Sequence, residues 1–272
     1  MRGLVCLPVL LLFACTPEAE IKDQEKLADV ATPEAWKQPD NATMERLAAK
    51  DPVAFLENCV RRYNQDVHSY RLKFYKKERI NGKLNDTELI DVCFQEKPFS
   101  VLFRWIEGAR KAAAALYVEG ENDGKLLVRP TGLGARLAGI VKRDPEGSDA
   151  KKSGRYSMKE FGLKHAALRT LASWKAAKAD NALHVEFLGE QKVKQAGDRV
   201  CWVLKRSKYQ KPENDGVTET TLYIDKETWL QIGSILRGEG GKLIGEYYFR
   251  DIQLNPKFED ETFQRGALEK KP

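Results

Sequence analysis

The sequence predicts an α+β fold, in which a sheet of long antiparallel strands carries a few helices on one side. Most segments alternate apolar and polar residues with a period of two and are separated by turn residues, whereas two segments show helical spacing. With 272 residues, of which 42% are hydrophobic, the chain is long enough to bury a large core. No internal repeat of fixed period is visible.

Asp51-Pro52 starts the first predicted helix, because Asp is a good N-cap and Pro is favoured at the first helical position. From Ser69 the period changes to two, and Asn81-Gly82 is the strongest short signal for a hairpin turn. The next strands are predicted at Leu89–Gln95, Val101–Trp105, Ala112–Val118 and Lys125–Arg129.

A capping box at Ser157–Glu160 predicts the second helix, which has Leu168, Leu171 and Trp174 on its apolar side. Five more strands are predicted after it, at Leu183–Leu188, Val200–Lys205, Thr218–Asp225, Gln231–Leu236 and Leu243–Ile252. The folded domain is therefore expected to span residues 51–265, with a short tail at 266–272.

Residues 1–14 have the features of a secretory signal peptide, namely one basic residue, Arg2, and an apolar run from Leu4 to Ala14. The run is too short for a membrane-spanning helix, which needs about 20 residues. It ends in Leu12-Phe13-Ala14-Cys15, which resembles the lipobox of bacterial lipoproteins. That resemblance implies that Cys15 is acylated and becomes the mature N-terminus. The alternative is an ordinary signal peptide that happens to contain Cys6 and Cys15.

The same resemblance places the protein on the periplasmic face of the bacterial cell envelope, anchored in a membrane by its lipid. Thr16 rather than Asp follows Cys15, which under the commonest bacterial sorting rule implies the outer membrane. Residues 15–50 are expected to be a tether, because residues 16–41 are rich in Pro and contain one aromatic residue, Trp36. A short helix over Ile21–Val30 is expected within it.

Several stretches in the same order resemble a bacterial family of unknown function, domain family 1571. They are Tyr70–Leu84, Glu96–Trp105, Tyr117–Leu133, Asp144–Leu163 and Thr220–Leu236. The last strand, Gly241–Phe263, is also similar to the end of periplasmic lipoprotein carriers of the LolA kind. The resemblance implies a strongly curved antiparallel half-barrel that is capped by helices and encloses an apolar cavity. It implies no catalytic residue.

Aromatic residues recur on the more apolar parity of the predicted strands. They are Tyr70, Phe74, Phe94, Phe103, Trp105, Trp202, Tyr223, Tyr247 and Phe249. On most sheets such residues form the core, whereas in a half-barrel they would line a cavity of lipid size.

Basic residues are concentrated between Arg129 and Lys164, where nine of them stand against four acidic residues. Lys151, Lys152 and Arg155 are the candidates for a contact with anionic lipid head groups or an acidic partner. The alternative is a solvated loop.

Motifs for enzymes and metals are missing from the sequence. Gly132–Leu137 lacks the third Gly of a dinucleotide-binding loop, and the three His are isolated from one another and from any Cys. A net charge of +6 is too small for a dedicated nucleic-acid binder. We therefore expect no cofactor, no metal and no nucleic-acid partner.

Cys59, Cys93 and Cys201 form an odd set in an oxidising compartment. One pair could form a disulfide, but three small core residues are the favoured interpretation.

Three functions remain open. The leading hypothesis is a non-enzymatic lipoprotein that binds an acyl chain or another lipoprotein in an apolar cavity. The second is an envelope scaffold whose cavity is filled by its own side chains. The third is a hydrolase, which requires two of its carboxylates to meet in a cleft with separated pKa values. The candidates are Glu78, Asp91, Asp225 and Asp251.

We expect Cys15 to be the mature N-terminus and to carry lipid, because the apolar run ends in a lipobox-like segment. Intact-mass analysis of membrane-extracted protein should show a chain that starts at Cys15 and carries the added mass of acyl groups. A Cys15→Ser chain that is still acylated and membrane-bound would contradict this expectation.

Overall fold

One antiparallel sheet of twelve strands organises the computed structural model, which describes residues 28–132, 139–213 and 216–272. The first six strands are β1 (Ser69–Ile80), β2 (Lys83–Leu84), β3 (Glu88–Gln95), β4 (Ser100–Glu107), β5 (Ala112–Val118) and β6 (Leu126–Pro130). The other six are β7 (Val141–Arg143), β8 (His184–Val193), β9 (Arg199–Ser207), β10 (Val217–Asp225), β11 (Gln231–Gly238) and β12 (Leu243–Leu254). The α+β class that the sequence predicts is confirmed.

The order of the strands is β7-β6-β5-β4-β3-β1-β12-β11-β10-β9-β8, with the short β2 paired to β1 alone. The middle of the sheet therefore joins the first and the last strand of the chain, and Phe74 pairs with Phe249 across this junction. β1 turns into β2 at Asn81-Gly82, where both residues have positive φ, as the hairpin signal requires. Bulges interrupt the register of several pairs, and such bulges bend strands in a curved sheet of this kind.

Within the described ranges, four α-helices accompany the sheet: α1 (Asn41–Lys50), α2 (Pro52–Asp66), α3 (Ser148–Lys151) and α4 (Leu163–Ala179). Single turns of 3-10 helix occur at Asn122–Gly124, Met158–Glu160, Lys194–Ala196, Glu239–Gly241 and Arg265–Leu268. Asp51 caps α2 by accepting a hydrogen bond from the amide of Ala54, as predicted from Asp51-Pro52. None of the helices in the described ranges is long and apolar enough to span a membrane.

The helices cover one face of the sheet, here called the inner face, which carries Phe74, Phe103 and Phe249. At the β9–β10 end, Trp202 and Leu222 of this face pack into one cluster with apolar residues of α1, α2 and α4. The opposite, outer face carries a separate cluster around Cys93, Leu102 and Leu116 under the C-terminal segment.

The structure differs from the expected tether and tail in the residues that it describes there. Residues 28–50 pack against the domain, since Val30 and Met44 are buried and the Trp36 indole N–H donates to the side-chain oxygen of Asn58 at 3.0 Å. At the other end Ala267 and Leu268 are buried, so the fold continues beyond residue 265. Sequence patterns overlook such segments because their few apolar residues are buried by distant parts of the chain. Residues 1–14, Cys15 and most of Ile21–Val30 lie outside the described residues.

The capping box at Ser157–Glu160 does not start a long helix. The Ser157 hydroxyl accepts from the amide of Lys159, but the turn ends and α4 begins only at Leu163. Gly162 separates the two with a φ of 139°, and a Cβ there would lie 3.0 Å from the Tyr70 hydroxyl oxygen. The backbone therefore runs against the inner face at this point, where the amide of Leu163 donates to that hydroxyl at 3.2 Å.

A matched pair of glycines tests how tightly the loop between β4 and β5 is packed. Gly108 and Gly82 both have positive φ, 72° and 80°, but only at Gly108 would a Cβ meet backbone, at 2.2 Å from the Thr87 carbonyl oxygen. We expect Gly82→Ala to cost about 1–2 kcal/mol of unfolding free energy from the left-handed backbone alone. Gly108→Ala should cost about 1–3 kcal/mol more from the clash. Urea denaturation of both variants measures the difference, and equal costs would show that this contact is loose.

Candidate functional site

A pocket lies between the inner face of the sheet and α4, with a volume of about 150 Å³. Phe74, Phe103 and Phe249 line it from the sheet. Residues 154–162, here called the strap, line it from the side, and Ala166 and Arg169 line it from α4. The strap and α4 are adjacent in sequence, so a single connection covers this part of the sheet.

Aromatic rings fill much of the space between the sheet and the strap. The ring centres of Phe103 and Phe161 are 4.7 Å apart, those of Phe74 and Phe249 are 4.9 Å apart, and those of Phe74 and Phe161 are 5.4 Å apart. Phe161 belongs to the strap, so the protein supplies part of its own filling. The pocket is the space that these rings leave.

One end of the pocket carries a buried group of charged side chains. The ammonium of Lys76 lies 3.3 Å from a carboxylate oxygen of Glu78 and 3.6 Å from one of Glu88. The Tyr247 hydroxyl donates to Glu78 at 2.9 Å. Arg110 donates to Glu88 at 2.7 Å and to the carbonyl of Ser153 at 2.8 Å, next to the strap. Each charge therefore has an opposite partner, which buried charges require.

A second ion pair lies at the pocket on the side of β9 and β10. Arg206, which is 2% exposed, donates to Glu213 at 2.8 Å, and its guanidinium carbon lies 3.9 Å from the ring centre of Tyr209. The hydroxyl of Ser173 on α4 also donates to Glu213, at 2.6 Å. The pocket therefore combines an aromatic lining with two groups of paired polar side chains, a combination typical of small-molecule sites.

The predicted aromatic set is divided among three places. Phe74, Phe103, Tyr247 and Phe249 line the pocket. Three others lie on the inner face beside it. They are Tyr70 and Phe94, which stack at 4.5 Å, and Trp105, which donates to Glu88.

The two remaining aromatic residues of the set lie away from the pocket. Trp202 packs against Phe55 of α2 and against Trp229, in the cluster under the helices. Tyr223 lies on the outer face, with its ring centre 5.7 Å from that of Tyr248. Neighbouring residues of a strand point to opposite faces, so the choice of parity in β10 placed Tyr223 on the wrong face.

The excess of positive charge in the segment from Arg129 to Lys164 is smaller in the structure than in the sequence, because acidic residues from elsewhere pair with it. Lys142 forms an ion pair with Asp123 at 2.7 Å, and Lys164 pairs with Asp29, both partners lying outside the segment. Lys151 and Lys152 are exposed at the end of α3. Arg155 is half-buried, with its guanidinium carbon 5.9 Å from the ring centre of Tyr156.

Only two of the carboxylates proposed for hydrolysis share a pocket: Asp225 and Asp251 line a second pocket of about 470 Å³. Glu78 lies at the pocket under α4, whereas Asp91 pairs with Arg104, Asp225 with Arg199 and Asp251 with Lys73. Throughout the described ranges, no group of three or more His, Cys, Asp or Glu side chains is arranged to hold a metal ion.

Cys59, Cys93 and Cys201 are free and buried, in agreement with the favoured interpretation as small core residues. Burial raises the pKa of the Cys59 thiol strongly and that of the Cys201 thiol to about 12. Since the thiolate is the reactive form, a raised pKa makes these two thiols less reactive.

The sequence interpretation did not identify four residues that shape the pocket, which are Lys76, Glu88, Phe161 and Arg169. A signal was present for Lys76, because it shares the parity of Phe74 in β1 and so places a charge on the apolar face. For Arg169 no such signal exists, since its exposure depends on where the strap crosses α4.

His165 reports the electrostatics beside the pocket. Its pKa is lowered to about 4, first because the ring is buried and then because Arg169 and Lys164 are positively charged. Its ring lies edge-on to Phe99 at 5.7 Å. The imidazole is therefore neutral at neutral pH.

A model of the family described as "Protein of unknown function (DUF1571)" matches residues 67–269. No curated protein matches the chain in sequence. Among solved structures, MucB in the Pseudomonas aeruginosa MucA/MucB complex is 18% identical, with 80% of this chain and 62% of that chain covered and a TM-score of 0.43. The chain thus spans less than two thirds of the length of MucB.

In two further matches, nearly the whole of the solved protein's chain is covered. The Mycobacterium tuberculosis lipoprotein LppX is 8% identical, with 78% of this chain and 100% of that chain covered and a TM-score of 0.41. A LolA superfamily protein from Nitrosomonas europaea is 9% identical, with 78% and 98% covered and a TM-score of 0.34.

We expect His165 to make the fold sensitive to mild acid. Between about pH 6.5 and about pH 4 the unfolded chain takes up a proton on this residue while the folded chain does not, so stability falls as the pH falls. The His165→Gln variant does not titrate there and should lose less stability on acidification. Urea denaturation at about pH 7.5 and about pH 5 compares the two proteins. An equal loss in both would mean that His165 is protonated in the folded state.

Proposed function

The chain belongs to the DUF1571 family of proteins of unknown function, and on that premise we propose that it is an envelope lipoprotein that binds an apolar group in the pocket under α4. The observation that carries the proposal is the aromatic pocket itself, with Phe74, Phe103 and Phe249 on its sheet side and paired polar groups beside them. The proposed location follows from the lipobox-like segment that ends at Cys15.

The size of the pocket limits what it can take. A cavity of about 150 Å³ is large enough for one benzene ring. The space under α4 therefore suits a single ring or the end of one acyl chain, rather than the several chains of another lipoprotein. Each methylene removed from water contributes about 0.8 kcal/mol, so a short segment already gives measurable affinity. A longer chain would require the ring of Phe161 or the strap to move.

The proposal is one of binding without catalysis. In the pocket Glu78 is held by Lys76 and Tyr247, and Glu213 is held by Arg206 and Ser173. Each carboxylate is neutralised by a cation and held by a hydroxyl group. We infer that these carboxylates shape the pocket and do not react.

A scaffold function is the second candidate, and the packing of the aromatic rings favours it. Phe161 of the strap already contacts Phe74 and Phe103, as a ligand would. In this case the inner face is packed as an ordinary hydrophobic core, and partner proteins would contact the outside of the domain. The two candidates differ in one measurable property, which is saturable binding of an apolar ligand.

We expect a bulky residue at position 166 to abolish ligand binding, because Ala166 lines the pocket from α4. The Ala166→Phe variant fills the space without adding a charge. Titration with an environment-sensitive fluorescent fatty acid measures binding, and circular dichroism confirms folding. We expect at least about a tenfold loss of affinity, which is about 1.4 kcal/mol.

Ala172→Phe is the matched control, since Ala172 lies on the exposed side of the same helix. This variant should bind as the unmodified protein does. Folded wild-type protein that shows no saturable binding would favour the scaffold function. Equal binding by both variants would place the ligand elsewhere.

A further inference from the structure

Arg169 differs from the other cations around the pocket. It lies on α4 and lines the pocket, and one of its terminal N–H groups donates to the carbonyl of Glu160 at 2.8 Å. Its guanidinium carbon lies 4.2 Å from the ring centre of Tyr156. A guanidinium has five N–H donors, so this contact leaves most of its capacity for other acceptors.

The neighbouring cations are neutralised by carboxylates. Lys76 has Glu78 and Glu88, and Arg206 has Glu213. In the part of the chain that the structure describes, no carboxylate oxygen lies within 4.0 Å of a nitrogen of Arg169. Its positive charge is therefore directed at the pocket and the solvent in it.

The lowered pKa of His165 is a second sign of this charge. After burial, the charge of Arg169 is the largest cause of that lowering. The guanidinium of Arg169 therefore lies close enough to His165 to disfavour protonation of the imidazole.

We propose that Arg169 binds the anionic head group of a single-chain amphiphile, a carboxylate or a phosphate monoester, while the chain lies against Phe74, Phe103 and Phe249. This inference rests on the proposed function, because it assumes that the pocket takes an apolar group. It adds a charge requirement, which an aromatic pocket alone would not impose.

The geometry suits this role. A guanidinium presents two parallel N–H groups to a carboxylate or phosphate, which gives both strength and orientation. Contact with the Tyr156 ring and the bond to the Glu160 carbonyl hold Arg169 in place before a ligand arrives. A group that is already ordered loses little entropy on binding.

Glu160 supplies the opposite charge in the same pocket and so provides an internal control. It lines the pocket from the strap and is half-buried. Its carboxylate should repel an anionic head group and attract a cationic one. Removing this charge is therefore expected to have an effect of opposite sign to removing the charge of Arg169.

Four ligands with the same eight-carbon chain test the proposal: octanoate, octyl phosphate, octanol and octyltrimethylammonium. Calorimetric titrations use the full chain with Cys15→Ser, which removes the expected acylation site. We expect octanoate or octyl phosphate to bind at least about tenfold more tightly than octanol, equivalent to about 1.4 kcal/mol. The cation should bind more weakly than octanol. The tighter of the two anions identifies the head group.

Variants then assign the preference to Arg169. Arg169→Gln should weaken binding of the anions about tenfold and leave octanol within about twofold, since only the charged head is affected. Arg169→Lys should restore part of the anion preference, because it keeps the charge and loses the paired donors. Glu160→Gln should strengthen anion binding. Thermal unfolding confirms that each variant is folded.

Two results would overturn the inference, and they are distinguishable. If octanol binds but the anions bind no more tightly, or if Arg169→Gln weakens octanol as much as octanoate, the pocket is apolar without a charge requirement. The proposed function then stands and the role of Arg169 is wrong. If none of the four ligands binds to the folded protein, the proposed function fails and the inference fails with it.

Discussion

The pairing of β1 with β12 is the contact on which the rest of the structure depends. These strands come from opposite ends of the domain, and their register places Phe74 beside Phe249. The pairing joins β3–β7 to β8–β11, so that a single inner face runs across both halves. Without it Phe74 and Tyr247, whose ring centres are 6.3 Å apart, would not share a pocket. Such a contact between distant segments has a high entropic cost of loop closure, which burial of apolar residues across the sheet has to offset.

The buried charges beside this junction depend on it as well. Glu78 is on β1 and Tyr247 is on β12, and their hydrogen bond crosses the junction. Buried ion pairs add little net stability, but loss of one partner leaves an unpaired charge and costs about 3–5 kcal/mol. Arg110 connects the same group to Ser153, the residue before the strap. The charges therefore specify how the strap lies on the sheet more than they stabilise the fold.

How much of this follows from the sequence depends on whether a pattern is local. The strands follow from alternation with a period of two, and the β1–β2 turn follows from Asn81-Gly82. β7 was not predicted, since three residues are too few to show a period. α1 falls in the segment predicted as a tether, because its two buried residues, Met44 and Ala48, give only a weak helical pattern. These residues are buried by contacts with the sheet and α2, which the pattern does not show.

The site was predictable to the same limited extent. Phe74, Phe103, Tyr247 and Phe249, which the parity of the strands assigns to one face, line one pocket. Parity failed for Tyr223, because both parities of β10 contain apolar residues and the choice between them needs the neighbouring strands. Contacts of the strap cannot be deduced from periodicity, since the strap lacks it. Phe161 and Arg169 therefore emerge only from the structure.

Packing and binding make opposite demands on the space under the strap. Aromatic rings that fill it stabilise the fold, and truncation of a buried Phe costs about 3–5 kcal/mol. A ligand needs part of the same space to be free. The chain combines the two by filling the floor with sheet residues, which are fixed by strand pairing, and by placing Phe161 and Tyr156 on the strap, which is held by side-chain contacts instead of strand pairing. Arg169 holds the strap through the Glu160 carbonyl and the Tyr156 ring, and it also faces the pocket. An anionic head group that binds Arg169 would therefore act on a residue that contacts both the contents of the pocket and the strap that covers it.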